Sequence, residues 1–507
     1  MDVEFLRYQF QDGCDGVVTK KGFMLGIRHL QIVYMMACTA AMAAIRGSIG
    51  IAVIAINDQE RLNDTYIQIH SWDRRIQGTV LSSFFFGYAL VLVPAELIIR
   101  NLNGKAVITT ILAVNGVLCL VMPIIVSRGG WIAVCNALFM MGMTQACLHP
   151  ANQKLLADWI PPNEMYLCSS LVYGGMQLGI LVSLPVAGIL AEARLGWELI
   201  FYSLAMMLLS MAIICGLLTA SSPDKHQAVG DSEKEYVREA LSYCKKRCIQ
   251  MPWRRVLKTR QFWGVTCAHA AVNAIVIFYL ADVPAYLRML NISIKDCGLY
   301  TMLTFASKWA MFLSSSPTLD WLSGFSYFSH LFSVTYFRKL INACGAFGAV
   351  IGLSILPNLV PDWSNFAIVV LSAILASVGF QLSGFLKSIR DMSENHSGTL
   401  LMMTSSVASV VGALTPLMSG FIIADEISSL KKWRIVILII VSLYVVSNVM
   451  YSMFGSGQRQ DWDYSRNRQK FGYHNGGSQR DTSKSSLGWP DIVMQVRLIN
   501  AGQIRYI

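Results

Sequence analysis

Of the 507 residues, 54% are hydrophobic and only 14% charged, where an ordinary soluble domain is about a quarter charged. A water-soluble fold of this length could not hide that much apolar side chain in its interior, so the solvent is lipid. The formal net charge of +11 gathers in a few loops, which favours a membrane over nucleic acid as partner. Twelve cysteines are scattered, several of them inside apolar runs (Cys38, Cys119, Cys135, Cys147). None forms a Cys-x-x-Cys pair or a Cys/His metal spacing, so neither a disulfide framework nor zinc is expected, and no cofactor.

The first 28 residues are polar and carry Arg7, Lys20, Lys21 and Arg28. The apolar run that follows is too long for a signal-peptide core and reads as a first span with its N-terminus in the cytosol. A span needs about 20 mostly apolar residues. Twelve such runs are present, near 30–56, 76–99, 106–126, 130–156, 168–192, 197–219, 262–285, 298–319, 340–360, 365–386, 398–424 and 434–454. The polar stretch 221–260 separates six spans from six. The organisation expected is therefore a cytosolic segment 1–28, a six-helix bundle 29–219, a cytosolic central loop 220–261, a second bundle 262–455 and a cytosolic, mostly disordered tail 456–507.

Charge sets the orientation. The central loop holds Lys225, Lys234, Arg238, Lys245, Lys246, Arg247, Arg254, Arg255, Lys258 and Arg260, which places it and both termini in the cytosol. Two glycosylation sequons, beginning at Asn63 and Asn291, fall in loops that this arrangement places outside or in a lumen.

Arg46 is the only charge between Leu30 and Ile56. It lies roughly 24 Å and 15 Å from those two ends at about 1.5 Å per residue. A charge at that depth must face protein or a water-filled cavity. A guanidinium keeps its proton and its fork matches a carboxylate or phosphate. The functional reading is an anion-binding residue, and the alternative is an arginine that only ties two helices together. Gly175 and Gly179 form a small-xxx-small pair suited to close helix packing. A histidine can titrate near neutral pH, so His149, before Pro150, and His269, one turn before Asn273, are candidates for ion coupling, or else satisfied structural histidines. Lys308 is an unexpected charge in the eighth span, and Lys387 and Arg390 in the tenth.

Several strings resemble the anion:cation symporters of the major facilitator superfamily, the group of sialin, the vesicular glutamate transporters and the sodium-dependent phosphate transporters. Residues 72–94 match that group's second-span signature, with Trp72, Gln77-Gly78, Leu81-Ser82-Ser83-Phe84-Phe85, Gly87-Tyr88 and Pro94 in place. Trp159-Ile160-Pro161-Pro162-Asn163-Glu164 resembles the string that follows its fourth span. Gly174-Gly175 with Gly179 and Ser183-Leu184-Pro185 resembles the fifth, and Ser222-Pro223-Asp224-Lys225-His226 and Pro252-Trp253 the central loop. Phe454-Gly455-Ser456-Gly457 with Trp462 resembles the end, so the likeness covers about 26–462.

The resemblance implies an all-α membrane protein of the major facilitator fold, twelve transmembrane helices in two six-helix bundles, in a plasma, lysosomal or vesicular membrane. It implies transport of a small anion of carboxylate or phosphate type by alternating access, coupled to H+ or Na+, by a monomer. It also implies Arg46, Asn273 and Ser388 as substrate contacts and Glu164 as the proton-coupling acid. The chain departs from the pattern at Met165, where an arginine normally follows the acid, and at Val272, Ala274 and Ser388. These losses leave open a non-transporting relative, a membrane scaffold or sensor that kept the fold. No phosphate-binding loop of the ATPase type and no nucleophile constellation is present, which disfavours a primary pump or an enzyme.

Overall fold

The computed structural model describes residues 26–59, 68–99, 101–243, 251–323, 333–359, 363–393, 395–424 and 429–463, in one compact unit that closes at Asp463. The sequon at Asn63, most of the N-terminal segment and most of the tail lie outside the described residues. In lipid each peptide group must find its hydrogen bond within its own segment, and the apolar runs accordingly become helices. They are α1 (Ile27–Ile56), α2 (Arg74–Ile99), α3 (Gly104–Ala146), α4 (Leu148–Trp159), α5 (Pro162–Ala191) and α6 (Gly196–Leu218) in the first half. The central stretch holds α7 (Asp231–Tyr243) and α8 (Trp253–Lys258). The second half has α9 (Arg260–Ala281), the short α10 (Val283–Met289), α11 (Ile294–Ser323), α12 (Val334–Ile355), α13 (Ser364–Met392), α14 (Ser397–Ile423) and α15 (Leu430–Phe454).

Each of the twelve expected spans has its helix. Spans three and four are not separated by a loop. They meet at Gly130, whose φ of 64° and ψ of −174° reverse the chain in a conformation that favours glycine. The fourth span is itself broken at Cys147, because Pro150 cannot donate a hydrogen bond back to the preceding turn. α11 is the least apolar of the spans. It is long enough at 30 residues, and its inward stripe of Thr301, Thr304, Phe305, Lys308 and Ser315 is buried.

Close packing follows from small residues. A Cβ added at Gly175 or Gly179 would sit 2.4 Å from the Met36 carbonyl oxygen and 2.1 Å from that of Ala40, so α5 lies directly on α1. In the second half, Gln381 Nε2 donates to Asn342 at 3.0 Å and to Asn448 at 2.7 Å, and Tyr444 donates to Gln381. This buried amide cluster joins α12, α13 and α15.

The two halves meet most tightly at the end of the bundle opposite the central stretch. There Gly50 faces the Leu280 carbonyl, Gly78 faces that of Pro416 and Gly298 that of Leu184. Across this seam Arg74 Nη2 reaches Asp282 Oδ1 at 2.7 Å, and both side chains are 0% exposed. Ser419 donates to the same oxygen at 2.5 Å, and Arg74 Nη1 donates to Gln77 at 3.0 Å. Arg74 Nε and Asp282 Oδ2 have no hydrogen-bond partner. Arg288 pairs with Asp58 at 3.2 Å at the same end.

Removing one partner of a buried ion pair strands the other charge at a cost of about 3–5 kcal/mol, whereas removing both costs far less. Arg74→Gln and Asp282→Asn are each expected to lower the thermal unfolding midpoint of the purified protein, and the double variant to recover part of the loss. Strictly additive losses would count against a coupled pair.

Candidate functional site

The break in the fourth span opens a cleft beside α1. Thr39, Met42, Ala43 and Arg46 of α1 line it with Gln145, Leu148, His149 and Asn152 on either side of the break in the fourth span, Tyr88 of α2, and Tyr173 and Met176 of α5. The space inside it is about 20 Å³, room for about one water. Arg46 Nε donates to Gln145 Oε1 at 3.3 Å. The guanidinium carbon lies 4.2 Å from the centre of the Tyr88 ring and 5.6 Å from that of Phe84, placements that stabilise a cation through the negative ring faces. Among the described residues no carboxylate contacts Arg46. It is therefore a mid-span cation held by neutral groups, with capacity left for an anion.

The structure brings His149 to Arg46: its ring stacks on Tyr173 with centroids 4.7 Å apart, in the wall of the same cleft. The other sequence candidates lie elsewhere. His269 Nδ1 is 3.1 Å from Thr404 Oγ1, and Asn273 Nδ2 donates to the Ala408 carbonyl at 2.9 Å. Both thus point from one face of α9 onto α14. Ser388, expected at the substrate, is 0% exposed and shares a 2.7 Å hydrogen bond with the Tyr451 hydroxyl. It packs α13 against α15 and does not line the cleft, because the face that a helical residue presents is set by neighbouring helices rather than by its spacing from a motif. Lys308 is 7% exposed with its Nζ 4.9 Å from the centre of the Phe305 ring. Lys387 Nζ donates to the Ser316 carbonyl at 3.4 Å, and Asp391 accepts from Arg338 at 3.3 Å. Asn291 is exposed in a left-handed turn (φ 62°) before α11. The hydroxyl of its sequon residue Ser293 accepts from the Asp296 amide at 3.1 Å and so caps that helix.

Glu164 sits in the first turn of α5, after Pro162 at its start. Met165 leaves the position after it uncharged, but the chain supplies a guanidinium from another helix. Arg28 Nε donates to Glu164 Oε2 at 2.8 Å and Nη2 to Oε1 at 2.9 Å, a bidentate pair. Arg28 Nη1 also reaches Glu233 Oε1 at 3.1 Å, and the Glu233 carboxylate accepts the amides of Ile27 and Arg28 at 3.2 Å each. One arginine thus bridges two acids while Glu233 caps α1 from α7. The Arg28 guanidinium also lies 5.4 Å from the centre of the Tyr236 ring. Burial, with the Glu164 carboxylate nearby, pushes the Tyr236 phenol up from its ordinary pKa, so it stays protonated. Neither Arg28 and Glu233 nor Arg74 and Asp282 stood out in the sequence. The one local signal was an arginine or aspartate at the rim of an apolar run.

Residues 35–355 match the family described as the Major Facilitator Superfamily. The chain belongs to that superfamily. Like other members it is an integral multi-pass membrane protein, and within the superfamily it is similar to the anion:cation symporters. It is 26% identical to human sialin over 78% of each chain. It is 24% identical to the sodium-dependent phosphate transport protein 1 of rabbit (Oryctolagus cuniculus) over 86% of this chain and 95% of that one. The fold is shared with a crystal structure described as a bacterial homolog of the human lysosomal transporter Spinster in an inward-facing, unoccupied conformation. That likeness has a TM-score of 0.65 at 15% identity and covers 86% of this chain and 97% of the other. The relatives are transporters rather than enzymes.

If Arg28 pins α7 to the start of α1, Arg28→Gln frees Glu233 and loosens the central stretch. Trypsin is then expected to cut at Lys234, Arg238 or Arg254 several-fold faster in the variant than in the wild type under native conditions. Equal rates would show that α7 is held by other contacts.

Proposed function

We propose that this superfamily member is a secondary transporter of a small anion that binds at Arg46 and moves by alternating access with H+ or Na+. The observation that carries this reading is a guanidinium in the middle of a span, lining a cleft, with aromatic rings and an amide around it and, among the described residues, no carboxylate against it. A charge at that depth is stable only when hydrated or neutralised, and an exchangeable anion supplies the counter-charge. A relative points the same way, since the rabbit protein 24% identical to this chain is a sodium-dependent phosphate transport protein. Coupling is assigned to Glu164, whose bidentate partner Arg28 stands on a different helix, so that protonation of the acid releases one span from another.

Two measurements in proteoliposomes test this. Arg46→Ala is expected to abolish saturable anion transport, and Arg46→Lys, which keeps the charge but loses the fork, to weaken apparent affinity about tenfold or more with normal insertion. Transport by Arg46→Ala at unchanged affinity makes the residue structural, and the absence of any transport by the folded wild type favours the scaffold reading. Glu164→Gln is expected to reduce ion-driven accumulation more than exchange of anion across the membrane. Unchanged pH and sodium dependence in that variant removes Glu164 from the coupling mechanism.

A further inference from the structure

The polar atoms left over in the Arg46 cleft specify more than a negative charge. Gln145 and Asn152 are 4% and 1% exposed, and each has one amide atom without a hydrogen-bond partner: Nε2 of Gln145 and Oδ1 of Asn152. Their orientations are fixed by neighbours that can act in only one way. Arg46 Nε–H can only donate, so the atom of Gln145 facing it at 3.3 Å is the carbonyl oxygen, and the NH2 is left over. The Thr39 hydroxyl gives its proton to the Met35 carbonyl at 2.8 Å and so accepts from Asn152 Nδ2 at 3.0 Å, which leaves the Asn152 oxygen over. The unmet set is therefore one permanent cation, one amide donor, one amide acceptor and the buried Tyr173 hydroxyl, which can donate or accept, with the His149 ring alongside. Buried polar atoms of this kind are rare in native folds and are normally met by water or a ligand. Met42, Ala43, Leu148 and Met176 form the apolar part of the wall.

Resting on the anion-transport reading above, we infer that the substrate is a monocarboxylate carrying at least one hydroxyl or amide N–H donor on a small carbon skeleton. The carboxylate lies on Arg46 and the Gln145 NH2, the O–H or N–H donor on the Asn152 oxygen, and the carbon skeleton against the methionines and leucine. One fixed positive charge is neutralised by a monoanion, whereas a dicarboxylate or the dianion of phosphate carries a second charge that no lysine or arginine of this wall meets. Inorganic phosphate also has no carbon surface for the apolar side. An acid lacking the donor strands the Asn152 oxygen, and sites built around a hydrogen bond reject such analogues strongly.

The experiment records charge movement on solid-supported membranes of proteoliposomes holding the full chain, after concentration jumps of lactate, gluconate, propionate, hexanoate, malate and phosphate. Lactate or gluconate is expected to bind about tenfold or more tightly than its deoxy counterpart, propionate or hexanoate, and than phosphate or malate. Asn152→Leu is expected to bring that ratio within about threefold, chiefly by weakening the hydroxy acids, and Gln145→Leu to weaken all carboxylates alike. Thermal unfolding of each variant, with and without propionate, separates lost selectivity from lost fold. The inference is overturned if phosphate, malate or a deoxy acid binds as well as its hydroxylated competitor, or if Asn152→Leu keeps the wild-type ratio. Silence toward all six anions, together with no exchange of radiolabelled lactate or gluconate by the same proteoliposomes, sinks the transport reading and this inference with it, whereas a response led by phosphate sinks this one alone.

Discussion

A guanidinium inside a bilayer cannot escape its charge by losing a proton, so the structure around it must meet that charge. Three arginines at the heart of this protein are met in three ways. Arg74 is matched by a carboxylate from the opposite half and fully buried. Arg28 is shared between two acids at the rim that faces the central stretch. Arg46 is met only by ring faces and an amide oxygen. The first two arrangements are closed, since each guanidinium already has its anion. The third has no carboxylate among the described residues, which is why the transport proposal rests on the cleft beside it.

The helices are arranged to make these matches possible. Glycines at 175 and 179 bring α5 onto α1, which sets Tyr173 and Met176 across the cleft from Arg46. The break at Cys147, forced by Pro150, turns His149 and Asn152 into the same cleft instead of continuing the line of α3. The second half has a different character. Its polar side chains are spent on one another, in the amide cluster of Asn342, Gln381 and Asn448 and in the contacts of His269 and Asn273 with α14. The recognition chemistry proposed above thus rests on the first half.

The spans were legible in the sequence because a span is a property of about 20 consecutive residues and needs no partner to be recognised. Arg46 was legible for the same reason: an isolated charge in an apolar run is conspicuous by itself. What was not legible depends on pairs far apart in the chain. Arg74 and Asp282 are separated by 208 positions and Arg28 and Glu233 by 205, and nothing local in either member announces the other. Ser388 shows the opposite difficulty. Its place relative to a motif was readable, but the side of α13 that it occupies is decided by Tyr451 on α15. The unmet atoms of Gln145 and Asn152 are a tertiary property as well, since they exist only because Arg46 and Thr39 claim the other half of each amide.

The Arg74–Asp282 pair has a consequence for energetics under a membrane potential. Each elementary charge carried across 100 mV exchanges about 2.3 kcal/mol with the field. The two charges cancel while paired, and they stand side by side at one end of the bundle, one on each half. In the transport cycle proposed above, parting the halves there would leave both near the same depth and carry no net charge through the field. Voltage would then do almost no work on this pair, and an electrical signature of transport would have to come from elsewhere in the protein, from its cargo or from the ions moved with it.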